Sequence, residues 1–175
     1  VFKYPVILYC GRLDKNKAPD RILQAFMRQK ELFPYMQLVY IGQDVDHLWS
    51  SLHEEAINAG IGERVHYWGR QNNPYKYMKR AKAVMVLSDH ESWSLVISEA
   101  KLLGVPVIAT NTSGAQEQIV NGETGIITSF QVEEIAEEIE EFLKNFDLQD
   151  KIRKNLLTDE AMKLGMQEFE ELLRK

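Results

Sequence analysis

Short, continuous apolar runs alternate with amphipathic helical stretches along most of the 175-residue chain. The runs are rich in β-branched and aliphatic residues, and most of them lack the every-second-residue alternation of a half-exposed strand. Continuous runs of this kind are typical of parallel strands that are covered on both faces. The sequence therefore predicts six such strands, at 5–10, 37–41, 65–68, 83–87, 105–110 and 125–128.

Amphipathic helical stretches lie between these strands, at about 18–33, 46–59, 73–81, 94–103 and 114–120. Repeated strand–helix units favour a parallel sheet with helices on both faces, because a right-handed crossover returns the chain to the same sheet. We therefore expect an α/β fold, a Rossmann-like parallel sheet of about six strands flanked by helices. In such folds ligands bind beyond the carboxyl ends of the strands, so functional residues should follow the strands directly.

The last third of the chain has a purely helical pattern. Its first helix carries an apolar stripe with a solvated acidic face opposite, and the stripe consists of Val132, Ile135, Ala136, Ile139, Phe142 and Leu143. Two more helices are predicted near 148–156 and 159–174. The last of these has a second apolar stripe, which packs either on this domain or on a partner domain: Met162, Met166, Phe169 and Leu173. With no internal repeat and no linker, residues 1–175 are interpreted as a single domain.

Composition limits the partners and the compartment. The net charge of −5 argues against general attraction to nucleic acid, so a phosphate site has to be built locally. A single cysteine, Cys10, excludes an internal disulfide and indicates a reducing, cytoplasmic compartment. Because Cys10 ends an apolar strand, we expect a buried filler rather than a reactive thiol. No apolar run approaches the roughly 20 residues that span a bilayer.

The beginning of the chain is unusual. Val1 stands where an initiator methionine is expected, and the first strand begins within about five residues of it. We interpret the chain as one domain excised from a longer, two-domain protein. A processed mature terminus is the alternative explanation.

The loop after the first strand is cationic. It reads Gly11-Arg12-Leu13-Asp14-Lys15-Asn16-Lys17. A dinucleotide-binding fold places Gly-x-Gly-x-x-Gly here so that the backbone approaches a pyrophosphate, and its absence argues against a nicotinamide or flavin enzyme. Arg12 and Lys17 lie where their side chains can reach an anion at the edge of the sheet. The loop by itself is equally consistent with a solvated basic loop.

A second segment follows strand four and opens a helix: Glu91-Ser92-Trp93-Ser94-Leu95-Val96-Ile97-Ser98-Glu99. Ser92 or Ser94 is suited to cap the helix, whose first free N–H groups form a natural anion site. A helical wheel places Glu99 inside the apolar arc, and a glutamate there is rarely buried without a partner. Glu99 is thus either a member of a structural ion pair or a fixed acceptor for a pair of ligand hydroxyls.

Five motifs in one order resemble those of the GT-B glycosyltransferases of family 4, also called group 1. They are the Gly-Arg-x4-Lys of residues 11–17, the Glu-x7-Glu of residues 91–99, and the segments 103–110, 113–120 and 121–125. The resemblance runs from the first strand to about residue 145. It implies that this chain is the C-terminal, donor-binding half of a GT-B fold.

The resemblance also implies residue roles. Arg12 and Lys17 are similar to the pair that grips the donor diphosphate, Glu91 to the contact with donor-sugar hydroxyls, and Glu99 to the ribose-binding residue. Arg70 is similar to the region that frames the base. Backbone amides are similar to the cradle for sugar and phosphate, and they belong to Ser92, Trp93, Ser94, Leu95 and Val96. Arg12, Lys17 and Glu91 are the catalytic candidates.

Two departures from the family pattern affect the expected site. Glu91-Ser92-Trp93-Ser94 replaces the usual Glu-Gly-Phe-Gly, which keeps the backbone contacts but puts the sugar preference in doubt. Ser113-Gly114 replaces the usual Gly-Gly. Trp93 either flanks the sugar or fills the core, and the core is slightly favoured.

The expected activity is the transfer of a sugar, with retention at the anomeric carbon, from a UDP- or GDP-sugar to an acceptor held by a missing N-terminal domain. We therefore expect the isolated chain to bind the donor without transferring its sugar. Members of the family generally act without a metal, and His47, His53, His66 and His90 have no metal-ligand spacing. We expect no cofactor and no metal, and a peripheral membrane association of the full-length enzyme is left open. A non-catalytic nucleotide-binding module and a UDP-sugar epimerase are the alternatives.

Overall fold

A computed structural model describes residues 2–158 of the chain. Six strands form one sheet, and every pair of neighbouring strands is parallel. The strands are β1 (Val6–Cys10), β2 (Gln37–Ile41), β3 (Val65–Tyr67), β4 (Ala83–Val86), β5 (Val107–Thr110) and β6 (Ile126–Thr128). This architecture confirms the predicted α/β, Rossmann-like class.

The strand order β3-β2-β1-β4-β5-β6 places the first strand at the centre of the sheet. Ile7 of β1 pairs with Leu38 on one side and with Ala83 on the other. The chain thus winds outward from β1 in one direction and returns at β4 to wind in the other. Between β1 and β4 the loops that leave the carboxyl ends diverge, which opens the crevice where such folds bind ligands.

Within the described residues, seven α-helices cover the two faces of the sheet. They are α1 (Pro19–Arg28), α2 (Trp49–Asn58), α3 (Tyr75–Met78), α4 (Leu95–Leu102), α5 (Ser113–Gln118), α6 (Val132–Lys144) and α7 (Phe146–Thr158). Helices α1, α2, α6 and α7 bury apolar side chains in one cluster, and α3, α4 and α5 bury theirs in another.

Strand β1 shows why the apolar runs are continuous. Ile7 and Tyr9 belong to the cluster beneath α1, whereas Val6 and Leu8 belong to the cluster beneath α3 and α4. All four side chains are at most 3% exposed. Successive side chains of the strand point to opposite faces of the sheet. Because both faces are covered, all of these side chains can be apolar.

The predicted stripe on α6 is confirmed, since Ile135, Ala136, Ile139, Phe142 and Leu143 are buried and Val132 packs against the same cluster. Helix α7 begins earlier than predicted, at Phe146. The predicted strand at 105–110 is shorter, because Pro106 has no N–H to donate to a neighbouring strand. The predicted helix 159–174 and its stripe lie outside the described residues.

Two helix boundaries also differ from prediction. Helix α1 ends at Arg28 rather than near residue 33. Helix α2 begins at Trp49, because the Asp44 carboxylate accepts hydrogen bonds from the backbone N–H groups of Leu48 and Trp49 at 2.8 and 3.1 Å. From residue 2 to residue 158, no helix combines the length and the apolar character that crossing a membrane requires.

Candidate functional site

The cationic loop after β1 forms a short 3-10 turn, Lys15–Lys17. The Asp14 carboxylate caps this turn by accepting the Lys17 backbone N–H at 3.0 Å. Directly afterwards, Ala18 has a left-handed φ of 44°, and Pro19 begins α1. For a residue with a Cβ this conformation costs about 1 kcal/mol, and such strain concentrates at functional sites. The tight turn directs Lys17 over the carboxyl end of the sheet.

Lys17 reaches across the crevice to the loop that follows β4. Its Nζ lies 2.5 Å from Oε2 of Glu91, and the two side chains are only 25% and 12% exposed. This half-buried pair joins the two segments that the sequence singled out independently. The ammonium and the carboxylate line one narrow cavity together with Gly11, Ser88, Ser94 and Val96.

Asn16 also joins the loop after β1 to the loop after β4 through hydrogen bonds. Its Nδ2 donates to the His90 carbonyl at 3.1 Å, and its Oδ1 accepts the His90 backbone N–H at 3.2 Å. The Asn16 carbonyl also accepts the Asp89 backbone N–H at 2.8 Å. Three hydrogen bonds therefore hold the residues that directly precede Lys17 and Glu91 in fixed register.

Arg12 is positioned differently from Lys17. Its guanidinium lies 3.3 Å from the Asp14 carboxylate, and its side chain is 67% exposed. The Tyr9 hydroxyl donates to the Arg12 carbonyl and so fixes the backbone, while the guanidinium itself extends into solvent. Arg12 lines a second cavity of about 290 Å³ together with Gly42, Arg70, Gln71 and Pro74. Cys10 and Gly11 form the wall that the two cavities share.

The ends of β1 and β2 approach each other so closely that only glycine fits between them. Gly42 has a φ of 146°, and a Cβ built on it would lie 1.7 Å from the Gly11 carbonyl oxygen. The contact holds the loop that carries Arg12 against the carboxyl end of β2. The single glycine after strand two is thus required by backbone approach.

The start of α4 presents fewer free amides than the sequence suggested. The Ser94 side chain caps the helix by accepting the Ile97 backbone N–H at 3.3 Å. The Ser94 backbone N–H already donates to Oε1 of the buried Gln118 at 2.9 Å. Because Ser94 is engaged in this way, the first amides of the helix that point out of its end belong to Leu95 and Val96.

Gly114 brings α5 against the loop that carries Glu91. Its backbone N–H donates to the Glu91 carbonyl at 2.8 Å. A Cβ at this position would lie 2.7 Å from that carbonyl oxygen and from the Ser92 carbonyl carbon. The retained glycine of the Ser113-Gly114 pair is therefore the one that the packing demands.

The slight preference for a core position of Trp93 is wrong. Trp93 is 56% exposed beside the start of α4, and Leu95 is 71% exposed. The apolar arc read from the helical wheel is correspondingly too wide, since only Ile97 and Ala100 of α4 are buried. Val96 and Leu103 pack only in part against the core, so the buried face of α4 is narrower than the predicted arc.

Glu99 lies next to Tyr75 of α3, whose hydroxyl donates to Oε1 of Glu99 at 3.0 Å. Burial raises the pKa of Glu99, and the hydrogen bond from Tyr75 lowers it in part. Burial, and then the contact with Glu99, raises the pKa of Tyr75 to about 12. Among the described residues Glu99 makes no ion pair, which counts against the structural ion-pair interpretation.

Cys10 is the remaining titratable group near Glu99. Burial, and then the Glu99 charge, raises the pKa of the Cys10 thiol to about 12. The thiol therefore stays protonated at neutral pH. The expectation of an unreactive filler fits this environment, although Cys10 also forms the wall between the two cavities.

Arg70 follows β3 and is exposed at the rim of the second cavity. The candidate residues thus divide along the crevice. Lys17, Glu91 and the start of α4 lie on one side of Gly11, and Arg12 and Arg70 lie on the other. Sequence reasoning missed three side chains that organise this arrangement, namely Asn16, Tyr75 and Gln118, because each acts through a partner distant in sequence.

In residues 2–158 no three histidine, cysteine, aspartate or glutamate side chains are grouped as metal ligands. His66 lies 2.7 Å from the Gln37 amide oxygen, and the His53 ring stacks on Trp49. His90 contributes backbone groups to the bonds with Asn16. The expectation of metal-independent action stays a prediction.

Comparison with known proteins decides the family. The sequence profile of the group 1 glycosyl transferases matches residues 2–157. The chain belongs to this family. The lipopolysaccharide core biosynthesis glycosyltransferase LpsE of Rhizobium meliloti is 26% identical over 149 residues, which are 85% of this chain and 42% of LpsE.

Two solved structures share the fold. The C-terminal domain of the group 1 protein LpcC from Francisella tularensis has a TM-score of 0.81 and 23% identity, over 90% of this chain and 86% of that one. Anabaena Alr3699/HepE in complex with UDP-glucose has a TM-score of 0.83 and 22% identity, over 98% of this chain and 49% of HepE. The chain thus spans less than half the length of LpsE and of HepE.

Proposed function

We propose that this chain is the donor-binding domain of a retaining glycosyltransferase, which transfers a sugar from a UDP- or GDP-sugar to an acceptor held by a separate N-terminal domain. The pairing of Lys17 with Glu91 at 2.5 Å, in the crevice between β1 and β4, carries the proposal. It combines a cation for a phosphate with a carboxylate for sugar hydroxyls at the place where this fold binds ligands.

The chemistry requires stabilisation of a leaving group. When the bond between the anomeric carbon and the diphosphate oxygen breaks, its electron pair remains on that oxygen, and negative charge grows there. Lys17, Arg12 and the free amides of Leu95 and Val96 would stabilise this charge. Fixed positive groups of this kind are usually the largest catalytic contribution, because they are oriented before the reaction begins.

The donor would extend along the crevice. Its diphosphate would lie beside Lys17, and its sugar would hydrogen-bond to Glu91. The ribose would lie at Glu99, and the base would occupy the cavity beside Arg70 and Gly42. A structurally similar protein, HepE, has been solved with UDP-glucose, which supports a nucleotide sugar as the ligand class.

The acceptor would be held elsewhere. The match to less than half of LpsE and the coverage of the LpcC C-terminal domain support the interpretation of this chain as the C-terminal half of a GT-B enzyme. Transfer would then require the facing domain, which would exclude water and align the acceptor with the donor.

Calorimetry of the full 175-residue chain with UDP, GDP, ADP and their glucose or mannose conjugates tests the donor assignment. We expect one nucleoside diphosphate and one of its sugars to bind at a single site, with at most trace hydrolysis. Absence of binding by every member of this panel would contradict the proposal. Multiple-turnover transfer to added acceptors by the chain alone would contradict the requirement for a separate acceptor domain, and interconversion of sugars without acceptor would indicate an epimerase.

A further inference from the structure

Tyr75 occupies a position that no established motif of the sequence marks. It begins the short helix α3, directly after Pro74, which lines the base-side cavity. Its hydroxyl lies 3.0 Å from one oxygen of Glu99. Cys10, in the wall between the two cavities, is close enough for its pKa to respond to Glu99.

These contacts locate the pair along the crevice. The Lys17–Glu91 pair lies on one side of the Cys10–Gly11 wall, and the cavity proposed for the base, which Arg12 and Arg70 line, lies on the other. In a nucleoside diphosphate, the ribose is the group between base and phosphates. The hydrogen bond from Tyr75 joins the Glu99 carboxylate to the residue that directly follows Pro74, and Pro74 lines the base-side cavity close to this wall. We therefore place the ribose beside Glu99.

We propose that Tyr75 is a positioning residue that makes the site selective for ribose hydroxyls. Its hydroxyl donates a hydrogen bond to Oε1 of Glu99 and so fixes the orientation of the carboxylate. Oε2 of Glu99 is then left to accept a hydrogen bond from the ligand. This inference rests on the proposed function, and it adds to it a residue that need not touch the ligand. A fixed acceptor discriminates more strongly than a mobile one, because a ligand that lacks the hydroxyl leaves a half-buried carboxylate without its partner.

Ionisation of Glu99 depends on the same contact. Burial favours the protonated form, whereas the hydrogen bond from Tyr75 favours the carboxylate. Within residues 2–158, Glu99 interacts with the hydroxyl of Tyr75 from α3 and, through its charge, with the thiol of Cys10 from β1. Loss of the Tyr75 hydroxyl therefore raises the pKa of Glu99, and Glu99 then loses its charge at a higher pH.

The test measures discrimination rather than affinity alone. Dissociation constants of UDP, GDP and their 2′-deoxy and 3′-deoxy forms are measured by calorimetry for the wild-type chain, Tyr75→Phe, Glu99→Gln and the double variant. We measure discrimination as the dissociation constant of the deoxynucleotide divided by that of the ribonucleotide. We expect Tyr75→Phe to reduce this ratio by about three- to tenfold, with binding of inorganic pyrophosphate unchanged. The double variant should discriminate no worse than Glu99→Gln.

Tyr77→Phe is the matched control, because Tyr77 lies in the same helix and donates to Gln71 rather than to Glu99. It should retain wild-type discrimination. If Tyr75→Phe also retains wild-type discrimination while Glu99→Gln loses it, the positioning role of Tyr75 is overturned and the donor site stands. If the wild-type chain binds neither nucleotide, the proposed function fails first, and the inference fails with it.

A second readout is the nucleotide affinity measured over a series of pH values. It can be taken at the pH values at which Tyr75→Phe stays folded. Wild-type affinity for the ribonucleotide should fall on acidification as Glu99 is protonated. In Tyr75→Phe the midpoint of this fall should move to higher pH, while Tyr77→Phe should keep the wild-type midpoint. An unmoved midpoint in Tyr75→Phe contradicts the proposal, and so does a shift of equal size in Tyr77→Phe.

Discussion

Nζ of Lys17 and Oε2 of Glu91 lie 2.5 Å apart across the crevice, although 74 residues separate them in the chain. In the free chain the carboxylate therefore neutralises the cation that we propose for the diphosphate. On the proposed function, a bound diphosphate would replace part of this contact and release the Glu91 carboxylate toward the sugar. The pair would then couple occupation of the phosphate position to the availability of the sugar-binding group.

Replacing Glu91 with glutamine tests this coupling. The Lys17 ammonium is half-buried, and without a counter-charge it should attract a diphosphate more strongly. We expect Glu91→Gln to tighten UDP or GDP binding about three- to tenfold while abolishing any extra affinity for the sugar conjugate. Calorimetry with the nucleotide and its sugar measures both effects. Glu133→Gln, which changes an exposed pair with Arg28, controls for the change in net charge. Weaker nucleotide binding in Glu91→Gln would contradict the coupling.

The two cations should contribute unequally. Lys17→Ala removes a half-buried ammonium, and we expect it to weaken nucleoside-diphosphate binding about ten- to hundredfold, or roughly 1.5–3 kcal/mol. Arg12→Ala should have the smaller effect within this range, because the guanidinium is 67% exposed and solvent screens it. The nucleoside without phosphates should bind both variants as it binds the wild type. Equal losses for nucleoside and diphosphate would refute a phosphate role.

Asn16 should affect binding without contacting the ligand. Asn16→Ala removes two hydrogen bonds to the His90 backbone, which should lower the free energy of unfolding by about 1–2 kcal/mol. We also expect weaker diphosphate binding, since Lys17 would no longer be held opposite Glu91. Urea denaturation and calorimetry measure the two changes. Asn16→Asp can still accept the His90 N–H, so its stability should be intermediate. Unchanged binding in a destabilised Asn16→Ala would restrict Asn16 to a structural role.

Glu99 should lower stability while supporting binding. Because burial raises its pKa in the folded chain, the folded state favours the protonated form, and stability is lost as pH rises through that pKa. Glu99→Gln should remove this loss, so the excess of its free energy of unfolding over that of the wild type should grow as pH rises through the pKa of Glu99 and stay constant above it. Its affinity for UDP or GDP should fall about tenfold, with pyrophosphate binding unchanged. Destabilisation at neutral pH with normal nucleotide binding would indicate a structural carboxylate instead.

Much of the fold was predictable because its signals are local. Burial on both faces makes the strands continuous apolar runs, and the stripe on α6 repeats at helical spacing within one segment. Element ends were less predictable, since they depend on contacts such as the one between Asp44 and the N–H groups of Leu48 and Trp49. The exposure of Trp93 and Leu95 was not predictable either, because the periodicity of α4 does not show which of its apolar side chains neighbouring elements cover.

The charged residues of the candidate site were predictable, but the hydrogen bonds that join its segments were not. Arg12, Lys17 and Glu91 stand out because each is charged and follows the end of a strand, and Glu99 stands out because it falls in the apolar arc of its helix. The contacts of Asn16 with His90, of Tyr75 with Glu99 and of Gln118 with Ser94 join segments at least 24 residues apart. Neither propensity nor spacing identifies such partners, because strand order decides which loops meet.

The central position of β1 in the sheet has a consequence for the order of folding. As the chain leaves the ribosome, β1, β2 and β3 emerge before β4, so the first loop is synthesised well before residues 88–91, which it contacts in the folded chain. Contacts of such long sequence separation close late, because a large loop must be ordered first. If the chain binds nucleotide as proposed, the nucleotide would stabilise only chains that have already paired β1 with β4. Ligand-dependent resistance to proteolysis during synthesis should appear only after α4 has emerged.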